Sequence, residues 1–510
     1  MDYDTNTPQG ESLFQLRNGK RILKERLSAK MQIIVDAQPE VTLQEDGLQY
    51  TWDESGLSEL FAECYKEEHR YCPERKSWYS YDGCRWVRDT GATLVSRNII
   101  EFSRLLILYC GEITNEEIRA KYFAFVNKIG NRRLRDNLLK DAAVNELLVI
   151  SAEEFDQNPY LLNCLNGTFD LQKREFREND WRDYITMSTN CAYTLQKVTC
   201  PRWEQFIDEI CAKDRDGKIP DPEKAEYLQK ALGYSLFGAA PEECMFIMYG
   251  SSTRNGKGTL QETIRVLLGD YAETASAQMI CSKSFTKDAE APSPKLASLK
   301  GKRFITMSES DEAGKIDEGL VKLLTGGDPI SARALHQDPI TYVPQFTMWL
   351  SCNDLPAVRD KSIFASDRLR VITFNRHFNE DERDETLKAF FKEPENQIGI
   401  LYWLIAGYYK YKRDGLKMPD SMRSVVKKYE KDNDLILQFL EQKCERDEES
   451  RVMAKSLYDA YKIWCKSNGY FVCSAKKFNA GVAAHPEWYT DNTRRLKNYP
   501  VYDGLKLAGN

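Results

Sequence analysis

Four polar residues occur in one segment of this 510-residue chain, in an order that suits chemistry on a nucleoside triphosphate. They are Lys257, Glu309, Asn353 and Arg368, which are separated by 52, 44 and 15 positions. An ammonium can clamp phosphates, a carboxylate can hold a metal ion and activate water, an amide can sense the terminal phosphate, and a guanidinium can stabilise developing charge. Together the four residue types indicate triphosphate hydrolysis.

The elements around Lys257 predict a phosphate-binding loop. Five uncharged apolar residues, Met245–Tyr249, predict a strand that is buried on both faces. A glycine-containing loop follows, and then an amphipathic helix that begins near Thr259. Backbone N–H groups at a helix N-terminus, a lysine and a hydroxyl are the groups that bind ATP with Mg²⁺. The candidate cofactor-binding residues are Gly250, Asn255, Gly256, Lys257, Gly258 and Thr259.

This loop departs from the pattern G-x-x-x-x-G-K-[ST] at two positions. Gly250 lies one residue further from Lys257 than usual, and Gly258 carries no hydroxyl where a Ser or Thr is normal. Thr259, or only water molecules, would then complete the metal site. The alternative is a plain surface turn, and the flanking apolar strand and amphipathic helix argue against it.

Two further strands are predicted after the loop, each followed by a polar residue. Phe304–Met307 precedes Glu309, with Asp311 as the reserve candidate, and Phe346–Leu350 precedes Asn353. The carboxyl ends of parallel strands meet at one edge of a sheet. The sequence therefore predicts that Glu309, as a metal ligand, and Asn353 lie beside the loop.

A hairpin is predicted between these strands. Residues Ile330–Leu335 and Ile340–Val343 would pair around a turn at 336–338, with Arg333 on the first strand and His336 in the turn.

Two arginines precede the last predicted strand of the segment, which ends at Phe374. An arginine at a subunit boundary can reach a phosphate bound by a neighbouring subunit. Arg368 is the first candidate for this role and Arg370 the second.

Composition excludes several classes of protein. The chain is 42% hydrophobic and 29% charged, with a net charge of −6 and no uncharged apolar run near the length of a membrane span. The amino terminus has neither the basic region nor the apolar core of a secretion signal. Fourteen cysteines without a C-x-x-C pair, and only 4 histidines, argue against structural zinc and for a reducing cytoplasm.

Charge is distributed unevenly along the chain. Residues 451–510 contain ten Lys or Arg and four Asp or Glu, so this tail carries +6 and the other residues carry −12. A basic terminal module on an acidic body suggests nucleic-acid binding. The alternative is a solvated surface with incidental lysines.

The chain upstream of the loop gives weaker signals. Aromatic residues around the turn at Asp82-Gly83 predict a hairpin, in which the rings form a small core or, as the alternative, stack on bases. A second hairpin is predicted around an Asn166-Gly167 turn. The predicted domains are an unassigned region 1–50, a helix-rich domain 51–200, an ATPase domain 201–385, and a C-terminal region 386–510.

Five motifs in this order resemble superfamily 3 helicases, and more closely the phage and plasmid primase-helicase family that is similar to the poxvirus primase-helicase. They are RNGKGT, MSESDEAG, KLLTGGDPISAR, LSCNDLP and DRLRVITF, and upstream the runs NGTFDL and LQKALGYSLFG add to the likeness. The resemblance covers about residues 50–420.

The resemblance implies an α/β fold with an AAA+-type parallel-sheet ATPase core, assembled into a homo-hexameric ring on DNA in a bacterial cytoplasm. It also implies that Lys257 binds the β and γ phosphates, Glu309 serves the metal ion and water, Asn353 is the sensor, and Arg368 is the finger in trans. The hairpin after Arg333 corresponds to the loop that grips DNA, although His336 and Gln337 stand where relatives have basic residues. The first 200 residues lack a zinc-binding cysteine set and a convincing acidic pair, so we expect a helicase-only member without primase activity.

The tail resembles a winged-helix DNA-binding module, with a helix that places Leu457, Tyr461 and Trp464 on one face, a second helix and a hairpin. Its expected phosphate contacts are Lys476, Lys477, Arg494 and Arg495. A purely structural C-terminal cap is the alternative.

Three functions compete at this point. The first is an ATP-driven helicase that replicates a phage or other mobile element, binds single- and double-stranded DNA, and works with a separate primase or other replication proteins. The second is an ATP-controlled initiator or loader that binds DNA without unwinding it. The third, a small-molecule kinase, explains Lys257 but neither Arg368 nor the hairpin.

Overall fold

A computed structural model of the chain describes residues 28–37, 50–281, 293–308, 314–333, 339–496 and 499–508. The chain divides into two compact units. The first comprises the described residues up to Thr199 together with Val266–Tyr271 and Lys392–Tyr402, and the second comprises the rest. Within the described ranges, no helix is both long and apolar enough to cross a membrane.

The first unit combines helices with two small antiparallel sheets. Its helices are α1 (residues 28–37), α2 (Glu54–Tyr65), α3 (Thr93–Tyr109), α4 (Glu116–Val126) and α5 (Arg132–Ala142). One sheet contains β1 (His69–Cys72), β2 (Ser77–Tyr81) and β3 (Trp86–Asp89), and the other contains β4 (Leu161–Cys164), β5 (Gly167–Asp170) and β6 (Glu175–Arg177). Each sheet follows chain order, because short turns join antiparallel neighbours.

The hairpin predicted at Asp82-Gly83 is formed by β2 and β3. Gly83 has a φ of +96°, which a residue with a side chain rarely adopts. Trp78 and Trp86 are only 5% and 1% exposed. The prediction that these rings form a small core is therefore confirmed, and they are not available to stack on bases.

The second predicted hairpin is present, but its turn is shifted by one residue. Cys164 pairs with Gly167, so the turn consists of Leu165 and Asn166 and the glycine belongs to β5. A Cβ on Gly167 would lie 2.5 Å from the carbonyl oxygen of Arg177 on β6. The glycine thus permits close strand packing and is not a turn residue, which the Asn-Gly pattern alone could not distinguish.

The second unit contains a five-stranded parallel sheet. Its strands, with an antiparallel hairpin between the third and fourth, are β7 (Met245–Tyr249), β8 (Ala272–Ser276), β9 (Phe304–Ser308), β10 (Ile330–Ala332), β11 (Ile340–Tyr342), β12 (Thr347–Cys352) and β13 (Leu369–Thr373). The sheet order is β13-β7-β12-β9-β8. The predicted parallel α/β core is confirmed, and the interior strand β7 has the predicted bounds because its side chains are buried as its apolar run requires.

Helices connect and flank these strands. They are α6 (Pro201–Ile210), α7 (Pro222–Tyr234), α8 (Lys257–Leu268), α9 (Gln278–Cys281), α10 (Pro294–Ala297), α11 (Glu318–Thr325), α12 (Ser362–Ala365), α13 (Leu387–Phe390), α14 (Pro394–Asp414) and α15 (Asp420–Asp432). Helix α8 begins directly after the phosphate-binding loop and buries Leu260 and Ile264, as its amphipathic pattern predicts.

The C-terminal part of the second unit has the helix-strand-helix-helix-strand-strand order of a winged helix. Its elements are α16 (Leu435–Lys443), β14 (Cys444–Met453), α17 (Ala454–Ser467), α18 (Ala475–Ala483), β15 (Arg495–Leu496) and β16 (Tyr499–Leu507). Leu457, Tyr461 and Trp464 on α17 are buried together with Phe439 and Phe478. The predicted winged-helix-like module is confirmed, and it begins earlier than residue 451, because the charged run CERDEESRVM pairs with β16 as a strand.

Candidate active site

The candidate phosphate-binding loop connects the carboxyl end of β7 to the first turn of α8. Two of its glycines are required by the surrounding atoms. A Cβ on Gly250 would lie 2.7 Å from the carbonyl oxygen of Phe374 and would overlap the side-chain amide of Asn255. Gly256 has a φ of +83°, and a Cβ there would overlap the side chain of Ile210 on α6. The glycines therefore hold the loop closely against its neighbours.

The ammonium of Lys257 lies at the carboxyl edge of the sheet and is only 6% exposed. Its Nζ donates to the carbonyl oxygens of Gly250 at 3.0 Å and Cys352 at 2.9 Å, and to Oδ1 of Asn353 at 3.0 Å. A lysine ammonium has three donors, so it must exchange at least one of these acceptors when it binds a phosphate oxygen. The lysine is thus held by the loop and by the end of β12, at the edge where the sequence predicts phosphate binding.

Asn353 follows β12, the strand next to β7. The register pairs Cys352 with Tyr249, the last residue of β7, so the two strands end side by side. The structure therefore brings Lys257 and Asn353 together, although 95 residues separate the lysine from Cys352.

The side chain of Asn255 makes a hydrogen bond within the loop. It is 4% exposed and donates from Nδ2 to the carbonyl oxygen of Ser252 at 2.6 Å, which closes the loop internally. Thr259 is half-buried in the first turn of α8, and a Cβ on Gly258 would meet no atom within 4 Å. Space for a hydroxyl therefore exists at position 258, where the sequence has none.

Glu309 and the reserve candidate Asp311 lie outside the described residues. The last described position before them is Ser308, an exposed residue at the end of β9. In the described part of the chain, no group of three or more His, Cys, Asp or Glu side chains could hold a metal ion. The role of Glu309 stays a prediction.

Arg368 lies at the opposite edge of the sheet from Lys257. It precedes β13, and its carbonyl oxygen accepts from the N–H of Met245, the first residue of β7. Its guanidinium donates to Glu243 at 2.5 Å and to the hydroxyl of Thr325 at 2.7 Å. A five-residue strand spans roughly 15 Å, so Arg368 does not belong to the Lys257 site of its own chain.

Arg370, the second candidate finger, is buried within β13. It is 7% exposed and is bound by Glu242 at 3.1 Å and by the carbonyl oxygen of Leu416. These contacts give it a structural role in the sheet, which leaves Arg368 as the arginine that is partly accessible.

The candidate DNA-binding residues occupy two places in the second unit. Arg333 directly follows β10 of the confirmed hairpin, and its carbonyl oxygen accepts from Ser293 at 2.8 Å. His336 lies outside the described residues. In the winged-helix module, Lys476 and Lys477 are exposed on the first turn of α18, and Arg494 and Arg495 are exposed where β15 begins. Arg494 also lies near Asp491 and Asp503, at 3.8 and 3.6 Å.

Sequence reasoning missed a second support of the phosphate-binding loop. His377 Nδ1 lies 2.9 Å from the carbonyl oxygen of Thr253. The N–H of Phe378 donates to the carbonyl oxygen of Arg254 at 2.8 Å. Arg254 has a φ of +57° and lies 3.5 Å from Glu380. The segment after β13 therefore fixes the loop conformation, and no motif marks this long-range contact in the sequence.

Three family models match separate parts of the chain. One described as D5 N terminal like matches residues 58–212, one described as Poxvirus D5 protein-like matches 431–503, and one described as Family of unknown function (DUF5906) matches 248–368. Two of these models describe D5-like proteins, and together with the relatives below they support a D5-like primase-helicase family. The resemblance inferred from the motifs is thereby confirmed.

Curated relatives of this D5-like chain carry helicase names. One from Acanthamoeba polyphaga mimivirus is 28% identical over 495 residues, which cover 89% of this chain and 50% of the relative. Another, from Invertebrate iridescent virus 3, is 23% identical over 373 residues and covers 66% of this chain and 38% of the relative. The D5-like chain spans half or less of the length of these relatives. Among solved structures, the apo NrS-1 C-terminal region covers 89% of this chain and 100% of its own at a TM-score of 0.49 and 9% identity.

Proposed function

We propose that this chain is an ATP-driven DNA helicase of superfamily 3 that replicates the genome of a virus or another mobile element. The observation that carries the proposal is the contact between Lys257 and Asn353 at the carboxyl edge of the parallel sheet. Ligands of open α/β sheets bind at that edge, and the two residue types match a phosphate clamp and a phosphate sensor.

The chain's own groups define how ATP would be bound. The N–H groups of the loop and of the first turn of α8 would surround the phosphates, and the α8 N-terminus favours their negative charge. Lys257 would bind the outer phosphates and release the side chain of Asn353, which would then be free to contact the terminal phosphate or the attacking water. This exchange makes the position of Asn353 depend on the nucleotide.

The proposed cofactor is ATP with Mg²⁺. Thr259 is the hydroxyl available in the first turn of α8, and Glu309 is the carboxylate expected near it. Mg²⁺ prefers oxygen ligands and keeps several water molecules, so one or two protein ligands suffice. The metal ion would neutralise charge on the phosphates.

A homo-hexameric ring would explain the position of Arg368. This residue cannot serve the Lys257 site of its own chain, because the two lie at opposite edges of one sheet. If neighbouring subunits pack edge to edge around DNA, Arg368 would leave Glu243 and contact the terminal phosphate bound by the next subunit.

DNA would be contacted at two surfaces. The β10-β11 hairpin with Arg333 would follow single-stranded DNA in the ring channel, and His336 would lie at its tip. Lys476, Lys477, Arg494 and Arg495 would bind duplex phosphates through the winged-helix module. Further partners would be a separate primase or other replication proteins.

We also propose domain bounds of 1–50, 51–200, 201–385 and 386–510, a cytoplasmic site of action, and a lack of primase activity, which a primer-synthesis assay on single-stranded template would test. The relatives come from viruses whose names refer to an amoeba and to invertebrates. They favour a virus of eukaryotes over the bacterial phage expected from the motifs.

A second candidate function is an ATP-controlled initiator or loader that binds duplex DNA without unwinding it. The confirmed winged-helix order favours this candidate, because such modules place a helix in the major groove. Strand displacement on forked DNA by the isolated chain separates the two. Unwinding with ATP supports the helicase, whereas duplex binding and ATP turnover without displacement support the initiator.

The duplex contacts can be tested by their salt dependence. Replacing Lys476 and Lys477 by alanine removes two phosphate contacts, so the slope of log Kobs against log salt should decrease by about 2. Lys466→Ala, which removes one charge from α17 in the same module, is the control and should change binding little. An unchanged slope in the double variant would make α18 a structural helix.

A further inference from the structure

The segment Pro356–Lys361, called here the 356–361 segment, connects Asn353 to Arg368. Two residues separate Asn353 from its first residue, and α12 leads from its last residue to Arg368. The two ends of this connection are the candidate sensor and the candidate finger. A shift of the segment would therefore change the positions of both Asn353 and Arg368.

The winged-helix side of the second unit contacts this segment at three positions. The N–H of Val358 donates to Oδ1 of Asn433 at 2.7 Å, and Lys361 donates to Oδ2 of Asp434. The guanidinium of Arg359 lies 5.5 Å above the ring of Phe471, in the turn between α17 and α18. A cation at this distance is attracted by the ring face.

Asp434 is the centre of these contacts. It is 4% exposed, accepts from the N–H groups of Ile436 and Leu437 at the start of α16, and lies 2.8 Å from Nε2 of His485, which follows α18. Burial alone would raise the pKa of Asp434, but hydrogen bonds from Lys361 and from Leu437 N–H hold the pKa below its ordinary value. The carboxylate is thus charged and joins α16 and α18 to the segment.

On its other side, the segment contacts α11, the helix before the β10-β11 hairpin. Oε1 of Glu318 accepts from the N–H of Arg359 at 2.5 Å and from that of Asp360 at 3.2 Å. Lys322 donates to Asp360 and to Ser362, each at 2.6 Å. The end of α11 in turn contacts the finger, because Thr325 accepts from Arg368 at 2.7 Å.

Charged and hydrogen-bonded contacts of this kind contribute little net stability to the packing of two parts of a protein. A buried ion pair is often no more stabilising than apolar side chains of similar volume, but its geometry is discrete. A polar network of this kind can therefore have two discrete arrangements. The polar and aromatic side chains that contact the segment include Asn433, Asp434 and Phe471 on one side and Glu318 and Lys322 on the other, and His485 lies beside Asp434.

We propose that the 356–361 segment couples DNA binding at the winged-helix module to ATP hydrolysis, with Asp434 and Lys361 as positioning residues that act through Asn353 and Arg368. The proposal rests on the proposed function, since it requires ATP turnover that DNA stimulates. DNA bound at α18 would shift the module, and the shift would reach the sensor and the finger through the Asp434–Lys361 contact.

The test measures ATP turnover of the full chain with increasing forked DNA, together with fork affinity in the absence of ATP. Asp434→Asn keeps a good helix N-cap but removes the charge that binds Lys361, and Lys361→Met keeps the apolar part of the lysine. Asp432→Asn, at an exposed acid two residues earlier, is the matched control. Phe471→Ala is a variant at a side chain that is 76% exposed, so it leaves the core intact.

We expect Asp434→Asn and Lys361→Met to lose DNA stimulation of kcat by about fivefold or more, the lower range of measured couplings. Basal turnover, KM for ATP and fork affinity should stay within about twofold of the wild type. The double variant should be no worse than either single variant, because both remove one contact. Phe471→Ala should reduce the DNA stimulation of kcat by about two- to fivefold, and Asp432→Asn should leave it unchanged.

Two results would overturn the coupling proposal alone. One is wild-type stimulation in Asp434→Asn, Lys361→Met and Phe471→Ala. The other is a proportional loss of basal turnover and fork affinity, which is what a merely structural role would give. If the wild-type chain itself shows ATP turnover that DNA does not change, the proposed function fails together with this inference. If Asp434→Asn does not fold, Lys361→Met and Phe471→Ala decide the matter.

Discussion

The two edges of the parallel sheet differ in how far a single chain completes them. At the carboxyl edge, Lys257 is buried and already bound to Asn353 on the neighbouring strand. At the amino edge, Arg368 is paired with Glu243, whose side chain is 50% exposed, and it has no triphosphate site of its own within reach. We therefore expect one chain to form the proposed ATP-binding edge alone, whereas its arginine would act in catalysis only beside another copy.

The two edges should also contribute differently to ATP binding and to ATP turnover. On the proposed assignment, ATP affinity would depend on groups at the carboxyl edge, which exist in a monomer. Hydrolysis would also depend on the amino edge of a neighbour, and therefore on protein concentration. Variants at the carboxyl edge should accordingly lose both ATP affinity and turnover, whereas variants at the amino edge should lose turnover alone.

The largest effect is expected at the carboxyl edge. Lys257→Ala removes the proposed phosphate clamp and should abolish measurable turnover, a loss of more than about a thousandfold in kcat, because charge that develops on the phosphates loses its cation. Nucleotide affinity should fall as well. Lys388→Ala, a lysine paired with Glu262 on the surface, is the control. Turnover in Lys257→Ala within about tenfold of wild type would break the assignment of this edge.

The next largest effect is expected at the amino edge. Arg368→Ala should lower kcat by roughly a thousandfold, the range of arginine fingers, but leave ATP affinity nearly unchanged. Arg383→Ala, whose guanidinium pairs only locally with Glu385, is the matched control.

Mixing the two inactive variants tests whether Arg368 acts on the site of a neighbouring subunit. A Lys257→Ala subunit retains its arginine and can complete the intact loop of an Arg368→Ala neighbour. We expect partial recovery of ATP turnover in the mixture. Absence of recovery in mixed oligomers, or full turnover by Arg368→Ala alone, would contradict a finger that acts in trans.

A smaller effect is expected from the hydroxyls beside Lys257. Thr259→Ala should raise the Mg²⁺ concentration needed for half-maximal turnover by about tenfold, as one metal-ligand hydroxyl is lost. Gly258→Ser places a hydroxyl where a Cβ meets no atom within 4 Å, and in the Thr259→Ala background it should restore part of the Mg²⁺ affinity. If Thr259→Ala leaves the Mg²⁺ dependence unchanged, only water molecules complete this side of the metal site.

The smallest effect concerns stability in the segment between the edges. The hydrogen bond from Lys322 lowers the pKa of Asp360 to about 2, below the ordinary value near 3.9. A lowered folded-state pKa stabilises the protein above about pH 4, and the contribution is lost as the pH falls from about 4 to about 2. Because the pair is half exposed, the contribution is at most about 1 kcal/mol.

Asp360→Asn reveals this contribution in urea unfolding at several pH values. The variant should be less stable than wild type at pH 6, and the difference should shrink as the pH falls below 4. A difference that does not change with pH would show that the Lys322 contact does not depend on the charge of Asp360.

Local patterns predicted much of the fold. The strand Met245–Tyr249, the hairpins and the module around Leu457 and Trp464 were predicted because burial and turn geometry leave periodic apolar residues and glycines in the sequence. The first strand of the module, β14, was missed, since pairing with β16 stabilises a run too charged to look like a strand.

The candidate site was predictable in its residue types but not in its geometry. The order of the motifs indicated that Lys257 and Asn353 lie near each other, because parallel strands end at one edge. No local pattern predicts that Glu243 and Thr325 hold Arg368 away from its own site, or that Asp434 contacts Lys361 across 73 residues. Such contacts arise from tertiary packing alone.

The most direct test of the account is ATP turnover by the wild-type chain and Lys257→Ala, with and without single-stranded DNA, alongside mass determination in the presence of a non-hydrolysable ATP analogue. We predict turnover that DNA stimulates, that Lys257→Ala abolishes, and that accompanies a hexamer-sized species. Turnover by a monomer that is indifferent to DNA would contradict the account and leave only a phosphate-binding loop.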